Sequence, residues 1–123
     1  MSRYGTAADA VFAGGSIDSI LSLTDSVPEN DVRVCFFLKG TECDDGKGPY
    51  YRILGPSSDP DEAVGLCVTS AEEGTDPSDS DLELFGRNLD EGILLMVDPY
   101  ACEFNAYRVK NGRYARADIL MSD

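Results

Sequence analysis

The chain has 123 residues, a hydrophobic content of 42% and a formal net charge of −13. That length suits one domain, residues 1–123, able to bury a core without disulfides or metal, and that hydrophobic content excludes wholesale disorder. Self-repulsion on this scale argues against nucleic acid and anionic membrane as partners, and favours solubility or a basic partner.

Thr6 and Asp9 have capping-box spacing and Gly14-Gly15 is a stop, which predicts a helix of about two turns. No apolar run follows Arg3, so the opening residues do not read as a signal peptide, and a cytoplasmic protein is expected. Ser16 starts a second helix with Ile17, Ile20 and Leu21 on one face, ended by Pro28. Asp31 to Gly40 is a strand, Thr41 to Gly48 a polar loop, and Pro49 to Leu54 a strand closed by Gly55-Pro56. After a second polar loop, Ser57 to Glu62, the residues Ala63 to Thr69 form a short apolar strand. Ala71 to Pro77 is an acidic loop, and Ser78 opens a helix with Leu82, Phe85 and Leu89 as its buried stripe and Gly92 at its end. Ile93 to Val97 is apolar without alternation, as a central strand covered on both faces would be. Asn111-Gly112 between Glu103–Lys110 and Arg113–Met121 is a hairpin signal. The sum is an α/β (α+β) domain: a mixed sheet flanked by helices and ending in a hairpin.

Charge is unevenly placed. From Glu42 to Glu83 there are twelve acidic residues against only Lys47 and Arg52. Asp44, Asp45, Glu72, Glu73 and Asp76 then belong either to a solvated acidic face or to a docking surface for a basic partner. The four cysteines, Cys35, Cys43, Cys67 and Cys102, show no Cys-x-x-Cys spacing. Without a secretion signal they read as reduced thiols, and their even number also permits two disulfides.

From Val68 to Asp81 the spacing is informative. Val68-Thr-Ser70 is followed by seven residues, then Ser78, two residues, and Asp81. This layout resembles the JAMM/MPN metalloprotease signature, His-x-His, seven residues, Ser, two residues, Asp. Further pieces stand in the family's order. Arg33-Val-Cys-Phe36-Phe-Leu-Lys-Gly40 is similar to the strand that supplies the family's catalytic Glu. Leu95-Met-Val-Asp98-Pro99 and Phe104-Asn-Ala-Tyr107-Arg108 are similar to two later segments. The likeness runs from Asp31 to Arg108.

In that family two histidines and the Asp hold zinc, the Glu is the base for zinc-bound water, and the Ser helps hold the tetrahedral intermediate. Only Ser78 and Asp81 carry over. Val68 and Ser70 stand in the histidine positions and Arg33 in the Glu position, and the chain contains no histidine. A catalytic zinc takes about three protein ligands and an open position. Val68 has no donor atom, and the cation of Arg33 would repel a metal and pair with Asp81. The expectation is therefore no metal and no cofactor, with Arg33, Val68, Ser70, Ser78 and Asp81 as the relic of a site. The resemblance implies a non-catalytic protein-binding or scaffold module, often paired with another such domain, and the acidic stretch separately suggests a basic protein as partner. Ser78 and Asp81 also fit a plain capping box, so the same two residues have a purely structural reading.

A hydrolase with a non-zinc site is the alternative, built from Ser70, Ser78 and Asp81 with Glu72 or Glu73 nearby. Cys67 lies inside an apolar strand, so it reads as core rather than nucleophile. Lys39, Lys47 and Lys110 show no spacing that brings a lysine to a serine. The acidic turns at Glu42–Gly46 and Asp76–Asp81 lack EF-hand spacing and would hold cations only weakly. No Gly-rich phosphate loop is present. Tyr50, Tyr51, Tyr107 and Tyr114 read chiefly as cross-strand packing, with exposed contact for a partner as the other use.

Overall fold

A computed structural model describes residues 9–25, 35–44, 49–69, 75–98 and 103–121. Arg33, Asp45, Ser70, Glu72 and Glu73 lie outside the described residues, as do Thr6, Pro28, Lys47, Pro99 and Cys102. In chain order the elements are β1 (Ala10–Phe12), α1 (Ser16–Asp25), β2 (Cys35–Asp44), β3 (Pro49–Ser57), a short turn of helix at Pro60–Glu62, and β4 (Ala63–Thr69). Then follow α2 (Asp79–Asn88), β5 (Glu91–Asp98), β6 (Glu103–Lys110), β7 (Arg113–Arg116) and β8 (Ile119–Met121).

The eight described strands make one mixed sheet in the order β7-β6-β5-β4-β2-β3-β1-β8. β5 has Ile93 to Val97 buried, with β4 parallel on one side and β6 antiparallel on the other, as an unbroken apolar run requires. Each sheet face has its own core. On one, Phe12, Ile20, Ile53, Leu95 and Val97 pack together, and Ile17 and Leu21 of α1 lie against them. On the other, Leu66, Val68, Leu94, Met96 and Tyr107 surround Phe85 of α2, with Leu82 and Leu89 beside it. The alternation of side chains along β4 and β5 thus assigns one helix to each face.

The two ends of the strand order are joined by chain. Between β7 and β8, the N–H of Ala117 donates to the carbonyl of Ala106 in β6 at 2.9 Å. The carbonyl of the next residue, Asp118, accepts from the N–H groups of Asp9 and Ala10 at 2.7 and 3.2 Å. One bent strand therefore bridges β6 to β1, and the sheet curls on itself. Arg108 of β6 braces this closure: it donates to Asp9 at 3.1 Å and lies over the ring of Tyr51 at 5.5 Å. Gly92 shows the tightness of the β4–β5 contact. Its φ is 152°, and a Cβ there would meet the Val64 carbonyl oxygen at 2.3 Å.

The structure corrects three expectations. Ala10–Phe12 is a strand rather than part of a short helix, because β3 and β8 pair with it on both sides. Thr41–Asp44 continues β2 instead of opening a loop, since it is laddered against Pro49–Arg52. The last predicted strand, Arg113–Met121, divides at Ala117–Asp118 where the chain passes from β6 to β1.

Candidate functional site

β4 ends beside the start of β2, with Val68 opposite Cys35 and Cys67 opposite Phe36. α2 packs on the face on which Val68 lies, through Phe85 with Leu82 and Leu89 beside it. Of the matched residues that are described, Ser78 and Asp81 are in contact with one another, and Val68 belongs to the core beneath α2. Their environments differ. Val68 is fully buried among Leu66, Phe85, Leu94 and Met96, so its two methyl groups are core. Ser78 is exposed at the N-cap of α2, and Asp81 is buried at 3% exposure.

Ser78 and Asp81 form a complete capping box. The Ser78 N–H donates to Asp81 Oδ2 at 2.8 Å, and the Ser78 hydroxyl donates to the same oxygen at 2.9 Å. In return the Asp81 N–H donates to Ser78 Oγ at 3.3 Å. Ser80 Oγ lies 2.9 Å from Ser78 Oγ. Two of the helix's orphan donors are satisfied in this way, and the carboxylate sits at the positive end of the helix dipole.

The segment entering the cap is pinned to β6. Asn105 Nδ2 donates to Thr75 Oγ1 at 2.6 Å, and the Tyr107 hydroxyl donates to the Thr75 carbonyl at 2.9 Å. The same hydroxyl lies 3.3 Å from Asp76 Oδ1. Burial, followed by the charge of Asp76, pushes the Tyr107 phenol above its ordinary value, so it remains a donor. These two side chains are placed by the β5–β6 register, and their partners stand some thirty residues earlier in the chain. Sequence patterning marked Phe104–Arg108 as part of a hairpin arm and of the family likeness, with Tyr107 as cross-strand packing, and gave no sign of the bonds to Thr75.

Val68 offers no lone pair and no room, and Oδ2 of Asp81 already accepts two hydrogen bonds inside the cap. No group of three or more His, Cys, Asp or Glu side chains placed to hold a metal occurs among the described residues. Cys67 is buried, and its thiol is pushed up by burial and then by the nearby Cys35, which keeps it protonated and unreactive. No disulfide joins Cys35, Cys43 and Cys67 to one another.

A cavity of about 530 Å³ is lined by Leu23, Cys35, Phe36, Phe37, Leu66 and Asn88 among others, so it reaches the β2 residue that faces Val68. Asn88 is the last residue of α2, so this space lies toward the opposite end of the helix from its cap. Neither Ser78 nor Asp81 lines it. Of the acidic residues singled out in the sequence, Asp44 is exposed at the end of β2 that pairs with Pro49. Asp76 is exposed just before α2, beside Tyr107. Among the described residues no helix is long and apolar enough to cross a membrane.

Neither a protein-family model nor a curated protein sequence matches the chain. Solved structures do. A protein of Desulfitobacterium hafniense, solved in solution, is similar at a TM-score of 0.68 and 13% identity, over 93% of each chain. A protein of Salinibacter ruber, also solved in solution, is similar at 0.62 and 20% identity, over 91% of each chain. A structure described as JAMM, a metalloprotease-like zinc site in the proteasome and signalosome, is similar at 0.61 and 16% identity, over 90% of this chain and 97% of that one. At these identities the likeness is one of fold, and the fold of this chain is JAMM/MPN-like.

Proposed function

We propose that this chain is a non-catalytic protein-binding or scaffold module in which the corner of a metalloprotease-like fold has become structural. The observation that supports this most is the closed exchange between Ser78 and Asp81, together with the full burial of Val68. A zinc peptidase needs ligands held open to a metal and a water. Here the carboxylate is a helix cap, and the position of the first histidine in the family pattern is filled by core. With Arg33 and Ser70 in the remaining family positions, the family's base and second imidazole are both replaced, and the chain contains no histidine.

The contact surface is the acidic stretch that includes Asp44, Asp45, Glu72, Glu73 and Asp76, and the partner is a basic protein or a second domain of JAMM/MPN type. Electrostatic attraction would govern the association rate and weaken with salt. A hydrolase built on Ser70, Ser78 and Asp81 gains no support from the cavity, whose lining includes neither Ser78 nor Asp81.

The test pairs two assays on the purified protein: cleavage of peptide and isopeptide substrates, with and without added zinc, and capture of basic partners. The expected result is no cleavage by the wild type or by Asp81→Ala, with partner capture that declines on charge reversal at Asp44 and Asp76. Turnover abolished by Asp81→Ala would reverse the reading.

A further inference from the structure

β7 presents an unused backbone edge. Arg113, Tyr114, Ala115 and Arg116 are all exposed, and among the described residues the strand pairs only with β6. The phase of its hydrogen bonds follows from the turn. Asn111 and Gly112 have φ of 53° and 78°, and Lys110 faces Arg113 across this two-residue connection. In such a hairpin the flanking pair exchanges hydrogen bonds and every second pair does not. The far end of the ladder agrees, because the Ala117 N–H donates to the Ala106 carbonyl. The N–H and C=O groups of Tyr114 and Arg116 therefore point away from β6. β1 occupies that side of the strand only from Asp118 onward. Among the described residues, nothing pairs with the edge at Tyr114–Arg116.

The same edge is cationic in an acidic protein. Arg108, Lys110, Arg113 and Arg116 are four of the ten basic residues, and no acidic residue lies between positions 108 and 116. Arg108 is neutralised by Asp9. Arg116 donates to the neutral amide oxygen of Asn105. Lys110, Arg113 and Arg116 have no carboxylate in salt-bridge range among the described residues. Positive side chains on a strand edge are a known guard against edge-to-edge pairing, and here they set arginine against arginine if two copies meet through β7. That guard is selective. It repels a second copy and any basic strand, and it attracts an acidic one. A bulky acidic partner would be repelled by the net charge of −13. A thin extended segment can stay within a Debye length, about 8 Å at physiological salt, of the three cations.

We propose that the outer edge of β7 at Tyr114–Arg116 binds an acidic, extended segment of a partner protein as an added strand. Main-chain bonds to Tyr114 and Arg116 supply the pairing, Lys110, Arg113 and Arg116 select for acidic side chains, and the exposed Tyr114 ring covers the strand's flank. This edge adjoins the segment that enters the cap, because Arg116 donates to Asn105, which donates to Thr75, and the Tyr114 ring meets that of Tyr107; the proposal does not rest on whether the Ser78–Asp81 pair is catalytic.

The experiment follows amide hydrogen exchange of the isotope-labelled protein by NMR during titration with short peptides. One peptide alternates Glu and Val, one alternates Lys and Val, and one is the Glu–Val peptide interrupted by Pro. The expected result is slowed exchange at the Tyr114 and Arg116 amides with the uninterrupted acidic peptide alone, and affinity that falls as salt is raised. Combined Lys110→Glu and Arg113→Glu should weaken it about tenfold or more, whereas Arg87→Glu on α2 should leave it unchanged. Four results would overturn the proposal: equal binding of the Lys–Val or Pro-interrupted peptide, affinity indifferent to salt, protection of the two amides in the protein alone or on raising its concentration, or preference of the edge for single-stranded RNA.

Discussion

The Val68–Ser78–Asp81 corner and the β7 edge put polar and charged groups to opposite uses. At the first, serine and aspartate satisfy one another and two backbone donors, and Val68 is sealed into the core beneath α2. At the edge, backbone groups of two residues face outward and three cations lack an anionic partner among the described residues. Hydrogen-bonding capacity satisfied internally stabilises the fold and leaves little for a ligand. Capacity left at the surface adds little stability and is available for recognition. A residue pattern taken from a catalytic family therefore says less about function than the current partners of each side chain do.

The contrast can be broken first by truncating the core beneath the corner. Phe85→Ala should cost about 3–5 kcal/mol in urea unfolding, because the ring is fully buried against Val68 and Met96. A cost below that of a surface change would mean that α2 is not held by its apolar face. Val68→His restores one residue of the family pattern but places an imidazole in an apolar site. It should destabilise by about 1–3 kcal/mol, with no gain in zinc affinity. Asp81→Ala and Ser78→Ala each remove the cap and should cost about 1 kcal/mol apiece. The double variant should cost clearly less than their sum, because both changes break one shared exchange. Arg113→Ala at the exposed edge sits at the small end, within about 0.5 kcal/mol of the parent. A larger loss there would show that the edge is already paired.

Alkaline pH tests the packed side of the molecule. Burial raises the Cys67 thiol, and burial followed by the charges of Asp76 and Glu91 raises Tyr107 and Tyr51 respectively. In each case the folded chain holds its proton more tightly than the unfolded one. The stability they contribute is complete below the ordinary values of 9.0 for the thiol and 10.0 for the phenols, and is lost as pH rises through the raised native values. The denaturant midpoint should be steady at neutral pH and fall above about pH 9. The Tyr107→Phe variant should show a shallower fall and a lower starting stability, since the Thr75 carbonyl loses its donor.

Much of this fold was legible locally. Ile93–Val97 announced a central strand, Asn111-Gly112 a hairpin, and Ser78–Asp81 a helix start, because each depends on neighbours in sequence. β1 was misread because Ala10, Val11 and Phe12 are extended only through pairing with β3 and β8, which no local pattern carries. The motif likeness covered residues 31 to 108, whereas the structural likeness takes in at least 90% of the chain. The difference lies partly in the ring closure, where Asp9, Arg108 and Asp118 meet from both ends of the sequence. At the corner, the cap was readable as spacing, but its anchorage by Asn105 and Tyr107 required the β5–β6 register.

Zinc titration of the purified protein, followed by calorimetry, bears most directly on the account. A capping carboxylate beside a valine core predicts no saturable, stoichiometric uptake, and no change in heat when Asp81 is replaced by Ala. Tight binding of one zinc per chain that disappears in Asp81→Ala would contradict it, and would return this corner to the chemistry of a metallopeptidase.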